Sequence, residues 1–307
     1  MRPRPAALLL AVGLDLLGGE PPETWHPVAW IGRALAWAER RARERGVREG
    51  AAAVLAVGGV AWTAAALVAG LSRRLGAPGV VLEALALKPA FAIRRLGAVA
   101  SEVDAALRAG ALDEARRLVG RHLVSRPAAE LDAPAVTSAA VESIAENLGD
   151  SVGGPLLAYA AGGLPAAWAY RAINTADAMW GYRDPRYEAF GKAAARLDDA
   201  ANLAPARAAA GALVAGAALA GEDARGALRV AWRDHARTAS PNAGWPMAAM
   251  AGALGVVLAK PGAYRLGEGV LPGSPDVIRR GLRVFAVAAA LVTGAALALA
   301  LARRGSR

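Results

Sequence analysis

AAVESIAENLGD at residues 139–150 and YRAINTADAMWGYRDPRYEAFGKAAARLDDAANLAPAR at residues 170–207 hold most of the acids and amides that can do chemistry in this chain. Between them runs an uncharged stretch, Val152–Ala169, broken by Gly153-Gly154-Pro155 and by Gly162-Gly163-Leu164-Pro165. Irregular backbone at membrane depth is tolerated only where protein or a cavity covers it. The stretch therefore predicts a broken membrane segment with a polar motif at each end. In the first motif Glu142, Glu146 and Asp150 recur at i, i+4 and i+8, one stripe of a helix. Like charges so stacked repel by a few tenths of a kcal/mol per exposed pair, so the stripe implies a bound cation, a basic partner or solvation. Solvation is the commoner fate of a charge run. In the second motif Asn174 and Asp177 stand at i, i+3, and Asp198 and Asn202 at i, i+4 with Asp199 adjacent. Arg196 and Arg207 flank them. Carboxylate and amide oxygens suit a hard cation such as Mg²⁺, and Arg suits phosphate.

Outward from these motifs, further apolar runs predict membrane contact. Ala51–Leu71 is uncharged over about 20 residues, which at a helical rise covers the roughly 30 Å of a hydrocarbon core. Val284–Ala302 is a second clear span, with Arg279, Arg280 and Arg283 before it and Arg303 and Arg304 after. Leu203–Ala220 reads as another, interrupted near its start by Arg207, and Trp245–Ala259 as a short re-entrant piece. Ala6–Leu17 is too short to span and contains Asp15, so it is expected to be partly embedded. Arg33–Arg48, with Trp30 and Trp37 beside six arginines, reads as an amphipathic helix at the headgroups. Val80–Leu123 has apolar positions at three- and four-residue intervals among charges, the pattern of soluble amphipathic helices. Asp113 is a candidate cap there, and Thr137 or Ser138 a candidate start for the helix of the acidic stripe. The fold expected is all-α, a polytopic membrane protein with roughly four to five membrane segments, some broken or re-entrant. It forms a single domain, 1–307, holding a soluble helical insertion at about 73–150.

Composition agrees. Apolar residues make up 55% and mean hydropathy is +0.30, above the roughly 45–50% of a soluble domain. No cysteine is present, which excludes disulfides, thiolate metal sites and Cys nucleophiles, and three histidines supply a zinc site poorly. The net charge of +10 comes from arginines at the ends of apolar runs, as in flanks of membrane helices, not from basic residues interleaved with stacking aromatics. Nucleic acid is therefore not the expected partner. No Walker loop, H-E-x-x-H or C-x-x-C motif occurs.

Five stretches taken in order carry more than each alone: HPVAWIG at 26–32, LVSR at 123–126, AAVESIAENLGDSVGGPL at 139–156, the 173–207 segment, and SPNAGWPMAAMAGALGV at 240–256. In them the sequence resembles the adenosylcobinamide-phosphate synthase family of cobalamin biosynthesis, the CobD/CbiB family of integral membrane proteins. Three positions depart from the family pattern. Glu20 stands where an Asp is usual, Pro127 replaces an acid, and Ser151 replaces a Gly.

The resemblance implies an enzyme of the inner membrane, multi-pass, that uses ATP and Mg²⁺. It joins the free carboxylate of adenosylcobyric acid to the amine of (R)-1-amino-2-propanol phosphate or ethanolamine phosphate. Glu142, Glu146, Asp177 and His26 are then the expected catalytic groups. Arg126, Asn147, Asn174, Arg196 and Arg207 would bind nucleotide and phosphate. Asp150, Asp198, Asp199 and Asn202 would hold the metal. The two polar motifs are expected to meet beside the bilayer. Partners are the corrinoid, the amino-alcohol phosphate and lipid, with other corrinoid-pathway enzymes or a second copy as further candidates. A membrane sensor related to beta-lactamase regulation, in which these clusters are dispensable, is the first alternative. A small transporter built on broken helices is the second.

Overall fold

The computed structural model describes residues 4–124, 128–182, 184–274 and 276–305. Helices α1 (Pro5–Gly18), α2 (Pro27–Arg41), α3 (Val47–Arg74) and α4 (Pro78–Leu87) come first. Then follow α5 (Ile93–Arg108), α6 (Leu112–His122), α7 (Ala133–Asn147), α8 (Gly154–Gly162), α9 (Leu164–Trp180) and α10 (Lys192–Leu219). The chain continues through α11 (Ala224–Asp234), α12 (Gly244–Leu254), the strands β1 (Leu258–Lys260) and β2 (Tyr264–Leu266), and α13 (Asp276–Gly305). The all-α expectation holds apart from that one antiparallel hairpin.

The chain divides into two compact units. The first takes the residues up to Ala92, Gly154–Asn202 and the residues from Gly294 on; the second takes Ile93–Gly153 and Leu203–Thr293.

In the first unit α3 packs on α9, α1 on α4, and α8 on α9. Proline at the first turn starts α1, α2, α4 and α9, where its missing N–H costs nothing. Gly163, at φ 75°, turns the chain between α8 and α9, a conformation that a β-carbon disfavours. α3 is long and apolar enough to cross a membrane, and only 11% of its apolar window is buried. Leu55 and Leu67 on it are 65% and 71% exposed. A core helix of a soluble protein would cover such residues; a lipid-facing helix leaves them open.

The second unit is built around α7, whose residues Val136–Ala145 are all buried. α7 contacts α5, α6, α12 and β1. Asp132 caps it by accepting from the Ala135 N–H at 2.9 Å, so Thr137 and Ser138 lie inside the helix and do not open it. Asp113 likewise stands in the first turn of α6, with Ala111 at the cap. α12 is buried along almost its whole length and sits tightly on α11. A β-carbon on Gly252 would come within 2.2 Å of the Gly226 carbonyl oxygen, so the two backbones touch there. The expected re-entrant piece at Trp245–Ala259 is thus a helix covered by protein, followed by β1.

α13 also passes the length and hydropathy test for a span. Among the described residues two helices pass it, α3 and α13. The helix after Asn202 is part of α10, which runs on through Pro205.

Candidate active site

The acidic stripe is not a solvated face. Glu142 is 4% exposed because the helix that carries it is covered on all sides. A carboxylate taken from water must be hydrogen-bonded to persist. Ser138, one turn earlier, donates to its Oε1 at 2.6 Å. Tyr264 donates to its Oε2, also at 2.6 Å. The Ala259 N–H in turn donates to Ser138 Oγ at 3.0 Å, so the hairpin grips α7 at two points. In the hairpin Lys260 pairs with Tyr264, which sets the two side by side.

A small polar pocket of about 110 Å³ lies at this junction. Glu142, Ser143 and Glu146 line it from α7, Lys260 and Tyr264 from the hairpin, and Leu123 and Val124 from the end of α6. The Lys260 ammonium has no partner among the described residues. Ser143 donates to the Leu123 carbonyl at 2.8 Å. Asn147 donates to the Ser143 carbonyl at 3.0 Å and accepts from Ser151 at 2.8 Å, so its amide is engaged along its own helical run. That run continues from α7 through a π-helical turn, Leu148–Gly153. Asp150 stands in that wider turn, and such turns concentrate at functional sites.

In the first unit α9 and the start of α10 bring together the second motif. Asp198 is 8% exposed. Its Oδ1 accepts from Asn174 at 3.2 Å and its Oδ2 from Asn202 at 2.9 Å. Asn202 accepts from the Tyr170 hydroxyl at 2.6 Å, and Asn174 from Arg171 at 3.0 Å. Burial pushes the Asp198 carboxyl above its ordinary range; the two amide bonds oppose this and the Asp199 charge adds to it. Asp177 is half-buried one turn beyond Asn174, with its Oδ1 2.2 Å from where a β-carbon on Gly181 would stand. Arg196 is exposed and takes no part in this network.

His26 is committed elsewhere. Its Nδ1 accepts from the Val28 N–H at 3.2 Å and caps α2. A proton therefore sits on Nε2, which donates to Glu20 Oε2 at 3.0 Å. Buried Lys88 reaches the same Glu20 oxygen at 2.7 Å and Asp15 at 3.4 Å. Burial raises the Glu20 carboxyl, but the bonds from His26 and Lys88 outweigh it and hold the group below the usual carboxylate range. Glu20 thus keeps an acid's place here despite its extra methylene. Sequence reading missed Lys88, and it missed two buried acids, Glu39 and Glu83. Glu39 accepts from Arg186 at 2.7 Å and Trp180 at 3.2 Å. Glu83 accepts from Tyr159 at 2.8 Å and Ser72 at 3.0 Å. Each acid lies in a helix beside apolar neighbours, and its donors come from remote segments that no local pattern shows.

In the second unit Arg207 donates to Asn242 at 2.6 Å and lies 5.3 Å from the Trp245 ring centroid. This joins the end of one matching stretch to the Ser-Pro-Asn-Ala-Gly-Trp of another. Arg126 lies outside the described residues. Magnesium needs several oxygens turned to one point. Among the described residues no three His, Asp or Glu side chains form such a group, and both Asp198 oxygens already accept amide N–H groups. Holding a resident cation therefore falls to no such group of acids and histidines among the described residues.

These features define a helical protein with two membrane-length helices and buried networks of acids, amides and hydroxyls. The chain belongs to the CobD/Cbib family, whose description matches it over residues 8–299. It is 38% identical to the cobalamin biosynthesis protein CobD of a Sinorhizobium species, covering 96% of this chain and 97% of that one. Proteins of the same name from Dehalococcoides mccartyi strain CBDB1 and Geobacter metallireducens strain GS-15 are 38% and 44% identical, over 88% and 84% of this chain and 89% and 82% of theirs. No solved structure matches. Family membership gives the chain a role in cobalamin biosynthesis.

Proposed function

We propose that this protein is a multi-pass ligase of the inner membrane that joins adenosylcobyric acid to an amino-alcohol phosphate through an amide bond. The observation that carries the reading is the pocket lined together by Glu142, Glu146 and Lys260, whose ammonium has no partner among the described residues. A small molecule with an ammonium at one end and a phosphate at the other matches that pairing of charges.

The chemistry needs activation, because a carboxylate has no good leaving group. ATP, arriving as its magnesium salt, is a substrate: its γ-phosphoryl goes to a carboxylate oxygen of the corrinoid and ADP departs. The amine then attacks the acyl carbon and phosphate leaves. The amine is an ammonium at neutral pH and must lose a proton before attack. In this reading Glu146, which lines the pocket, receives it, while Glu142, held by the Ser138 and Tyr264 hydroxyls, keeps an acceptor fixed at the pocket wall. Lys260 would hold the phosphate of the same substrate, and positioning of this kind supplies much of the rate in such transfers. His26 acts in this reading as a positioning residue, since its Nδ1 is spent on the cap.

A deletion strain tests the reading. Corrinoid-dependent growth should be restored by cobinamide and not by cobyric acid. Equal rescue by both would place the lesion elsewhere.

A further inference from the structure

The first unit carries a groove of about 450 Å³ that the chemistry above does not use. Its floor is one face of α3, where Val57, Ala61, Ala64 and Val68 follow at three- and four-residue steps. Ile31 and Ala34 of α2 and Trp168 of α9 wall it. The alanines of the floor leave room that larger side chains would fill. Every lining side chain is apolar apart from two indoles, Trp30 and Trp168. Both indole N–H groups turn away, to the carbonyls of Thr24 and Ala86, each at 2.9 Å. The groove therefore presents almost entirely hydrocarbon, and an occupant gains little there from polar groups.

Three observations identify that occupant. The floor belongs to a helix of membrane length on which Leu55, Leu67 and Leu71 are exposed. At about 30 Å³ for a group the size of water, the volume takes a chain of about fifteen methylenes. The third observation is charge. The lining face of α2 continues past Ala34 to Trp37 and Arg41, whose guanidinium lies 4.3 Å from the Trp37 ring centroid. Ala34 to Arg41 is about 10 Å along the helix axis. Arg40, Arg41, Arg43 and Arg48 are exposed at this end, against Glu44 as the exposed acid among residues 40–48.

We infer that the groove holds one acyl chain of an anionic glycerophospholipid, with its phosphate against Arg41 and the neighbouring arginines. The inference stands apart from the ligase reading, and its test needs no turnover.

Native mass spectrometry of the full chain released from mild detergent reads it directly. The wild type should retain one phospholipid and take phosphatidylglycerol over phosphatidylcholine by at least about tenfold, since each surface arginine favours an anionic lipid. Ala64→Trp should lose the bound lipid, while Leu67→Trp, on the open face of the same helix, should keep it. Arg40→Gln with Arg41→Gln should retain a lipid but lose the preference. Equal retention by the two tryptophan variants, or a wild type that takes both lipids alike, would overturn the proposal. The wild-type competition alone decides it should Ala64→Trp fail to fold.

Discussion

Tyr264 donates its phenolic hydrogen to Oε2 of Glu142 across 2.6 Å and 122 positions of sequence, tying the hairpin to a helix buried on every side. The Ser138 hydroxyl donates to Oε1. Tyr264→Phe removes the donor on Oε2, and a hydrogen bond to a charged group contributes about 1.5–3 kcal/mol. Turnover in detergent should fall about tenfold or somewhat more. Glu142→Gln should cost about a hundredfold or more, in the range of lost acid–base groups. Steady-state assays of both variants, with melting curves as a check on folding, read this. Unchanged turnover in both would remove Glu142 from the site.

Lys260 pairs with Tyr264 in the hairpin and lines the same pocket. Lys260→Ala should raise KM for the amino-alcohol phosphate about tenfold or more and leave KM for ATP unchanged, because a charge-assisted contact to one substrate is lost. Lys260→Arg should recover part of it. A rise in KM for ATP instead would assign Lys260 to the nucleotide.

Burial holds the Asp198 carboxyl above its ordinary value of 3.8. Protonation removes an acceptor from Asn174 or Asn202, so any step that needs this network intact loses rate as pH falls through the raised value, earlier than an exposed Asp would predict. The acid limb of kcat/KM against pH should shift in Asp199→Asn, since the Asp199 charge contributes to raising Asp198. The shift should be toward lower pH. An acid limb that stays in place in that variant would contradict the assignment.

Glu20 behaves in the opposite sense. Its folded value lies below 4.5, so the stability it contributes is present above 4.5 and is lost as pH falls through the depressed value. Glu20→Gln should flatten the melting temperature against pH on that acid side and lower it at neutral pH, where Lys88 loses its closest carboxylate. Melting curves that keep their wild-type acid slope would contradict this.

Much of this was legible in the sequence, and what was not has physical reasons. Glu142 of the first motif and Asn174, Asp198 and Asn202 of the second enter buried networks, whereas Arg196 is exposed, and the uncharged run at Ala51–Leu71 falls inside α3. Solvation of the 142/146/150 stripe was the natural expectation from spacing, but spacing reports which residues share a face and not what covers it. Ten successive residues of α7 are covered, polar ones included, and one donor that satisfies Glu142, the Tyr264 hydroxyl, sits in a three-residue strand over a hundred positions away. Strands that short leave no periodic trace. Lys88 reads as a solvated charge until Asp15 and Glu20 are seen beside it.

The contact of α11 with α12 was invisible for a similar reason, since nothing local marks Gly226 and Gly252 as partners. Gly252→Ala forces a β-carbon to 2.2 Å from the Gly226 carbonyl oxygen. Backbone cannot give way as a flexible side chain does, and overpacking of this kind costs about 1–3 kcal/mol or more. The variant should melt several degrees lower. Gly255→Ala, at φ 65° but in open space, isolates the conformational part of such costs and should destabilise less.

The ligase reading meets its most direct test in one vessel. Purified protein in detergent receives ATP with magnesium, adenosylcobyric acid and (R)-1-amino-2-propanol phosphate, and the products are weighed by mass spectrometry. The account predicts adenosylcobinamide phosphate, with one ADP and one phosphate released for each amide formed, and little of it from Glu142→Gln. Folded wild-type protein that leaves all substrates unchanged, or product that forms equally well without ATP, would contradict it.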